Sequence, residues 1–294
     1  MNKLIKEVFL CLLALVLFCA NDGTAQTLSG YDLVGKVKRF RLYHYTPLDD
    51  CDYCEEIQCD STLVEFNVNG KVVREIFYTC SFLKSEEGKV LTEKCNYKYN
   101  SKGKLVEKDI TEAWGDNYKE KIIRDDRGFI IRIEKYYINT KESSQELRSI
   151  EYRKNSEDGT IQETSNYKYY NSKKTLCWRD YYDETGFLTK TIYYDLEGNE
   201  KSEETFSRER YPSGITSKRT ALLSNGLKEV VLLNEKGLVT TCTKYREDGT
   251  IYSTEKYTYK YDNFGNWIYK KKVTKVLTFK ETVDIIKCII SYYR

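Results

Sequence analysis

Good helix formers are what this chain most lacks. After Ala25 only two alanines remain, Ala113 and Ala221, and the single methionine is Met1. A chain so poor in both has little reason to form helices anywhere. Histidine is nearly missing as well. His44 stands alone, so no histidine pair can hold a metal, and any Ser–His or Cys–His device would hang on one residue. It sits between Tyr43 and Tyr45 in "RLYHYTP", where it reads most simply as a strand residue. No G-x-S-x-G, H-E-x-x-H or phosphate loop occurs. Carboxylates are plentiful, but they lie in turns and on alternating wet faces, where solvated residues belong, and not as the obvious pair of a glycosidase. The expectation is a protein that is not an enzyme and needs no cofactor.

Charge of one sign is not concentrated either. Lysine plus arginine number 48 against 45 acidic residues, net +3, and the two signs are interspersed, which speaks against a nucleic-acid partner. One apolar run stands out, "VFLCLLALVLFCA" from Val8 to Ala20, with Lys3 and Lys6 before it and the polar "NDGTAQ" after it. A basic start, a short apolar core and small residues at Gly23 and Ala25 are the order of a secretory signal peptide, cut after Ala25. The run is short of the roughly 20 apolar residues a membrane span needs. A lipid anchor at Cys19 is the competing reading, but Phe18 precedes it where lipoprotein cleavage resembles a pattern with Gly, Ala or Ser. The expected address is outside the cytoplasm (periplasmic, cell-surface or secreted), with no membrane span once the leader is gone.

Tyrosine is abundant, 27 in all, and with Thr, Val and Ile it favours strands. Glycines recur in polar clusters: "NVNGKVV" at Gly70, "NSKGKLV" at Gly103, "DDRGFII" at Gly128, "SEDGTIQ" at Gly159, and so on to "DNFGNWI" at Gly265. Two glycine-free breaks, "NTKE" at 139–142 and "NSKK" at 171–174, fill the long gaps. Each cluster places Asn, Asp or Glu shortly before a glycine that can take positive φ, which is hairpin chemistry. Between clusters the chain alternates. In "EKYTYKYD" Tyr257, Tyr259 and Tyr261 share one face while Lys256, Thr258 and Lys260 share the other, the period of a half-buried strand. The fold expected is all-β, an antiparallel meander of about sixteen short strands joined by Gly hairpin turns. A sheet that large is expected to curl into a spiral, a partial barrel or two packed layers, ahead of a propeller, since no four-strand super-repeat is seen.

The unit Tyr259-x-Tyr261-Asp262-x-x-Gly265-Asn266-Trp267 resembles a YD repeat of the Rhs type. The opening "DLVGKVKRFRLY", 32–43, is similar to the first strand of small secreted bacterial proteins built from such degenerate repeats. The resemblance implies a β-repeat scaffold and no catalytic residues. Large relatives form shells around toxin domains, and this chain is too short to enclose one. It divides into a leader, 1–25, a first strand with a Cys-rich loop, 26–60, and a degenerate repeat array, 61–294.

Ten cysteines occur, and two of them, Cys11 and Cys19, belong to the leader. Cys51, Cys54, Cys59, Cys80 and Cys95 crowd the N-terminal third. In an exported chain they suggest a disulfide staple of unassigned pairing. A zinc knuckle on Cys51 and Cys54, completed by Cys59, Cys80 or Cys95, is the sharper alternative. Either would pin the loop at 46–60, the segment best placed for a specific contact. Two binding readings follow. An envelope or surface protein could use the sheet, adding a strand at an edge that Lys270, Lys271 and Lys272 would guard. Alternatively polysaccharide could stack on Trp267 and Tyr269, read as one strand face, beside Tyr259 and Tyr261, with Trp178 and Trp114 extending the platform. Since tyrosines recur in almost every unit, the aromatic face reads first as scaffold.

Overall fold

The computed structural model describes Leu33 and residues 36–46, 57–80, 89–113, 115–170, 172–277, 279 and 281–293. The proposed leader and the loop at 47–56 lie outside these residues. The chain runs as strands β1 (Val37–Thr46), β2 (Ile57–Phe66), β3 (Val72–Cys80), β4 (Lys89–Tyr99), β5 (Leu105–Glu112) and β6 (Asn117–Arg124). It continues with β7 (Ile130–Asn139), β8 (Ser144–Asn155), β9 (Ile161–Tyr170), β10 (Lys173–Tyr182), β11 (Leu188–Tyr194) and β12 (Glu200–Arg210). It ends with β13 (Thr216–Leu222), β14 (Lys228–Leu233), β15 (Val239–Tyr245), β16 (Ile251–Tyr261), β17 (Trp267–Val276) and β18 (Thr282–Tyr292).

Each strand pairs antiparallel with the next, and β18 pairs back onto β1, Phe40 opposite Ile290 and His44 opposite Ile286. The meander is as expected, but it closes into an 18-stranded barrel where a curled or spiral sheet of about sixteen strands was expected. Closure satisfies every edge, so Lys270, Lys271 and Lys272 guard nothing. They lie inside β17, paired to β16 on one side and β18 on the other.

The hairpins follow one recipe. At Asp262 the side-chain Oδ1 accepts from the Phe264 and Asn266 amides at 2.9 Å each. The Asp262 amide reaches the Asn266 carbonyl at 2.8 Å, and Gly265 sits at φ 86°. A tight turn that ends on a left-handed residue and forms a bulge is what this sequence chemistry selects. The two glycine-free breaks use serine in its place: Ser143 has φ 51° and Ser172 φ 66°.

Rows across the barrel show the alternation. Phe40, Val64, Glu75, Cys95, Ile110, Tyr118 and Tyr137 stand opposite one another in turn from β1 to β7. Phe40, Val64, Glu75, Cys95 and Ile110 are all buried. The neighbouring row, Glu65, Arg74, Asn96, Asp109, Lys119 and Tyr136, is wet and laced with ion pairs such as Arg74–Glu65 at 2.7 Å. In a closed sheet inward side chains converge and outward ones splay, so the crowded row is the inner one. Its packing continues into Leu33, Val37, Phe66 and Val72. Charges stand mid-strand on both faces: Lys108, Lys168 and Lys244 in the inner rows, Lys119, Lys190 and Lys218 in the outer. A lipid-facing barrel carries an apolar band about 25 Å tall, and among the described residues these charges interrupt both faces.

The two ends of the barrel differ. At one end lie the turns of Gly70, Gly103, Gly128, Gly159, Gly186, Gly214, Gly237 and Gly265, all at positive φ. There, at Gly103, Gly128, Gly159, Gly186 and Gly237, the residue after the preceding hairpin's glycine lies nearest, while Gly214 and Gly265 have nothing within 4 Å. Lys71 bonds the Gly103 carbonyl and Lys104 the Gly128 carbonyl, while the Phe129 ring lies over Gly159. Thr160 Cγ2 would meet a Cβ at Gly186 at 3.4 Å, and Ile215 does the same for Gly237 at 3.9 Å. At the other end Gly115, Gly198 and Gly249 have nothing within 4 Å, while a Cβ at Gly226 would meet Glu247 Oε1 at 3.1 Å. That loop end also carries the connections at 47–56 and 81–88, which lie outside the described residues.

Candidate functional site

A shallow cleft of about 720 Å³ sits at the loop end, built from β9 to β12 and their turns. Local sequence explains its floor. Leu176 pairs with Tyr167 and Trp178 with Asn166, so Cys177 is the extra residue of a bulge in β10. Bulges re-aim the side chains beside them. Trp178 thereby stands opposite Tyr193 of β11, which in turn faces Ser202 of β12. Lys168 Nζ lies 5.6 Å from the Trp178 ring centroid, and Tyr170 and Tyr194 add aromatic walls.

Glu204 is the polar anchor of the cleft. It accepts from the Tyr193 hydroxyl at 3.2 Å and from Ser224 through both amide, 3.3 Å, and hydroxyl, 3.1 Å. Burial, then the Glu204 charge, keeps the Tyr193 phenol protonated far above its ordinary range. At the rim Asp195 is held below the usual carboxylate range, chiefly by the Asn199 amide. Aromatic rings beside fixed acceptors and a cation are what a polyhydroxylated ligand uses: stacking for its apolar faces and hydrogen bonds for its hydroxyls.

The other sequence-predicted aromatics are placed differently. Tyr259 donates to the Val239 carbonyl at 2.8 Å, and Lys236 lies over the Tyr261 ring at 4.0 Å. Tyr261 pairs with Trp267 and Lys260 with Tyr269, so a bulge at Ile268 breaks the common strand face expected for Trp267 and Tyr269. Trp267 packs against the buried cluster of Val37, Phe40 and Cys288, while Tyr269 stands in the outer row opposite Lys287. The turn between them is clamped from β18: Tyr292 donates to Asp262 Oδ2 at 2.5 Å and accepts from Asn266 Nδ2 at 2.8 Å, with Asn266 fully buried. Trp114 lies outside the described residues.

His44 lies in an inner row opposite Asp60 of β2. Burial first, then the charge of Lys270, pushes its pKa down to about 4, with Asp284 pulling the other way and Lys272 adding to the fall. Lys272 is itself paired to Asp284 at 2.7 Å. A neutral, enclosed imidazole is a packed strand residue, as its sequence setting suggests.

Among the cysteines, Cys95, Cys177, Cys242 and Cys288 are free thiols. Cys95 therefore drops out of the expected staple in this structure. It is walled in by Glu75 and Ile110 and donates to Glu93 Oε1 at 3.0 Å. Cys51 and Cys54 lie outside the described residues, and Cys59 and Cys80 are placed by their backbones alone, in β2 and β3. Among the described residues no cluster of three His, Cys, Asp or Glu could hold a metal. No helix among them is long and apolar enough to cross a membrane.

No family model matches the chain, and no curated relative matches it. Among solved structures it is similar to a porin-like protein from Bacteroides uniformis, at 10% identity over 87% of this chain and 98% of that one, with a TM-score of 0.43. A porin-like protein from Bacteroides vulgatus follows, at 10% identity over 88% and 99%, TM-score 0.26. A protein of unknown function from Bacteroides fragilis matches at 13% identity over 42% of this chain and 94% of that one, TM-score 0.32. Likeness this loose carries no argument about activity, and the barrel rests on its own strand pairings.

Proposed function

We propose that this chain is an exported, non-enzymatic β-barrel that binds a ligand at its loop end, and that the ligand is a polysaccharide or a shorter glycan. The cleft of Trp178, Tyr193, Tyr170 and Tyr194 around Glu204 and Lys168 carries this reading. There the inner-row rings of Trp178 and Tyr193 lie beside fixed hydrogen-bonding groups. The rest of the barrel serves as scaffold, with hairpins of the kind the YD-repeat resemblance implies. Export rests on the leader at 1–25.

A protein partner is the second reading. It is favoured by the position of the Cys-rich loop, whose flanking strand ends, Thr46 and Ile57, lie at the same end of the barrel. Isothermal titration of the purified chain against a panel of envelope polysaccharides and their oligomers separates the two. Binding lost in Trp178→Ala, with an unchanged circular-dichroism spectrum, supports the glycan site. No heat with any glycan, together with capture of an envelope protein that depends on residues 46–60, would replace it with the protein reading.

A further inference from the structure

The barrel register assigns a pairing that the cysteine spacing alone leaves open. In the β2–β3 hairpin Asp60 stands opposite Thr79, Ser61 opposite Tyr78 and Thr62 opposite Phe77. Extended one step beyond its last pair toward the loop end, the same register would bring the backbone of Cys59 opposite that of Cys80, the last residue of β3. Facing residues on antiparallel strands have Cα atoms about 4.5 or 5.5 Å apart, depending on the hydrogen-bonding site. Both values fall within the roughly 4.4–6.8 Å that a disulfide spans.

No other described cysteine has such a neighbour. Cys95 faces Glu75 and Ile110, Cys242 faces Val231 and Glu255, Cys288 faces Leu42, and Cys177 is a bulge residue. Burial raises the thiols of Cys95 and Cys242 far out of the reactive range and that of Cys288 to about 12. These three are unfit for exchange chemistry, which needs the thiolate. Cys59 is also skipped in the pairing with β1, where Asp60 meets His44 and Gln58 meets Tyr45. It is the extra residue of a bulge on that side.

We propose that Cys59 and Cys80 form a cross-strand disulfide that staples the mouth of the β2–β3 hairpin, between the loop ends at 47–56 and 81–88. The step is thiol–disulfide exchange with a disulfide-bearing oxidant. One cysteine thiolate attacks the oxidant and releases half of it as a thiol. The second thiolate then displaces the other half, so the S–S bond forms between Cys59 and Cys80. Two protons and two electrons pass to the oxidant, which leaves as two thiols. The bond encloses the hairpin alone, so the barrel pairings are the same with or without it. This inference is independent of the ligand.

The test uses the full chain, reduced and then exposed to oxidised glutathione. Free thiols are alkylated, and the protein is digested with trypsin and a glutamate-specific protease, which cuts between Cys54 and Cys59 at Glu55 and Glu56. Mass spectrometry is expected to find the Cys59 peptide joined to the Cys80 peptide, and the two separate on reduction. The link is also expected to survive in a variant carrying both Cys51→Ser and Cys54→Ser, and to vanish in Cys80→Ser. Cys59 joined to Cys51 or Cys54 would overturn the assignment. So would Cys59 and Cys80 that are both alkylated, or each capped by glutathione, in a chain whose circular dichroism is intact.

Discussion

The protonation of His44 links the inner face of the barrel to a measurable stability curve. Its pKa is about 4 in the folded chain against 6.5 for an exposed histidine. As pH falls through 6.5 the unfolded chain takes up a proton that the folded chain refuses. The stability that a neutral His44 confers is therefore fully present above pH 6.5 and is lost on the way down to about pH 4. A shift of one unit is worth about 1.4 kcal/mol, so the whole loss approaches about 3 kcal/mol, of which about 2 kcal/mol is gone by pH 5. Buried carboxylates complicate the raw curve. Asp60, Glu75 and Asp180 are raised by burial, so each favours the folded state as it protonates, the opposite sign. The difference between wild type and His44→Gln removes their contribution. Urea unfolding followed by tyrosine and tryptophan fluorescence at pH 7.5, 6, 5 and 4.5 measures it. The wild-type chain is expected to lose stability relative to the variant by about 2 kcal/mol between pH 7.5 and pH 5. Parallel curves would refute the reasoning, because they would mean that His44 protonates as easily inside the barrel as in water.

Three substitutions test the scaffold. Gly159→Ala forces a side chain into φ 91° and onto the Phe129 ring, at a cost of about 2–4 kcal/mol from strain and overpacking together. Gly249→Ala, at φ 81° with open space around it, is expected to cost only about 1–2 kcal/mol, and equal losses in urea melts would remove the distinction between the two ends. Tyr292→Phe leaves the buried Asn266 amide short of an acceptor and removes a donor from Asp262, which should lower stability by about 1–3 kcal/mol. Trp267→Ala opens the cluster around Val37 and Phe40 and should cost about 3 kcal/mol; a thermal midpoint equal to wild type would show that Trp267 is not part of the core.

The sequence carries strand identity because strand identity is local. Alternation in "EKYTYKYD" and the Asp262–Gly265 turn are settled by neighbours a few residues apart, and β16 and its hairpin lie where that pattern puts them. The strand count falls short for a reason just as local. The turn between β17 and β18 has no glycine and places Leu277 at φ 29°, and the long connection between β1 and β2 carries no hairpin signature. Closure is different in kind. It depends on β18 meeting β1 across nearly the whole chain length, and nothing in either strand's own sequence names its distant partner. The same limit applies to the cleft. Trp178 is visible as a rare large aromatic, but Tyr193 and Glu204 join it only through pairings fixed by two successive hairpins. The grouping of Trp267 with Tyr269 fails on a single residue, since one bulge at Ile268 changes which side each of them takes.

The asymmetry of the ends then has a physical cause and a consequence. Where Lys71, Lys104, Phe129, Thr160 and Ile215 each reach to the next hairpin, neighbouring turns are tied to one another as well as through the ladder. A turn tied in this way cannot take a Cβ without crowding a neighbour's side chain. The loop end has no such ties at Gly115, Gly198 or Gly249, although Glu247 reaches Gly226, and it is there that the cleft around Trp178 lies. A closed sheet fixed at one rim holds its other rim in register from below. The loop end is thereby freed to vary in length and chemistry at little cost to the fold, which is the arrangement a binding surface requires.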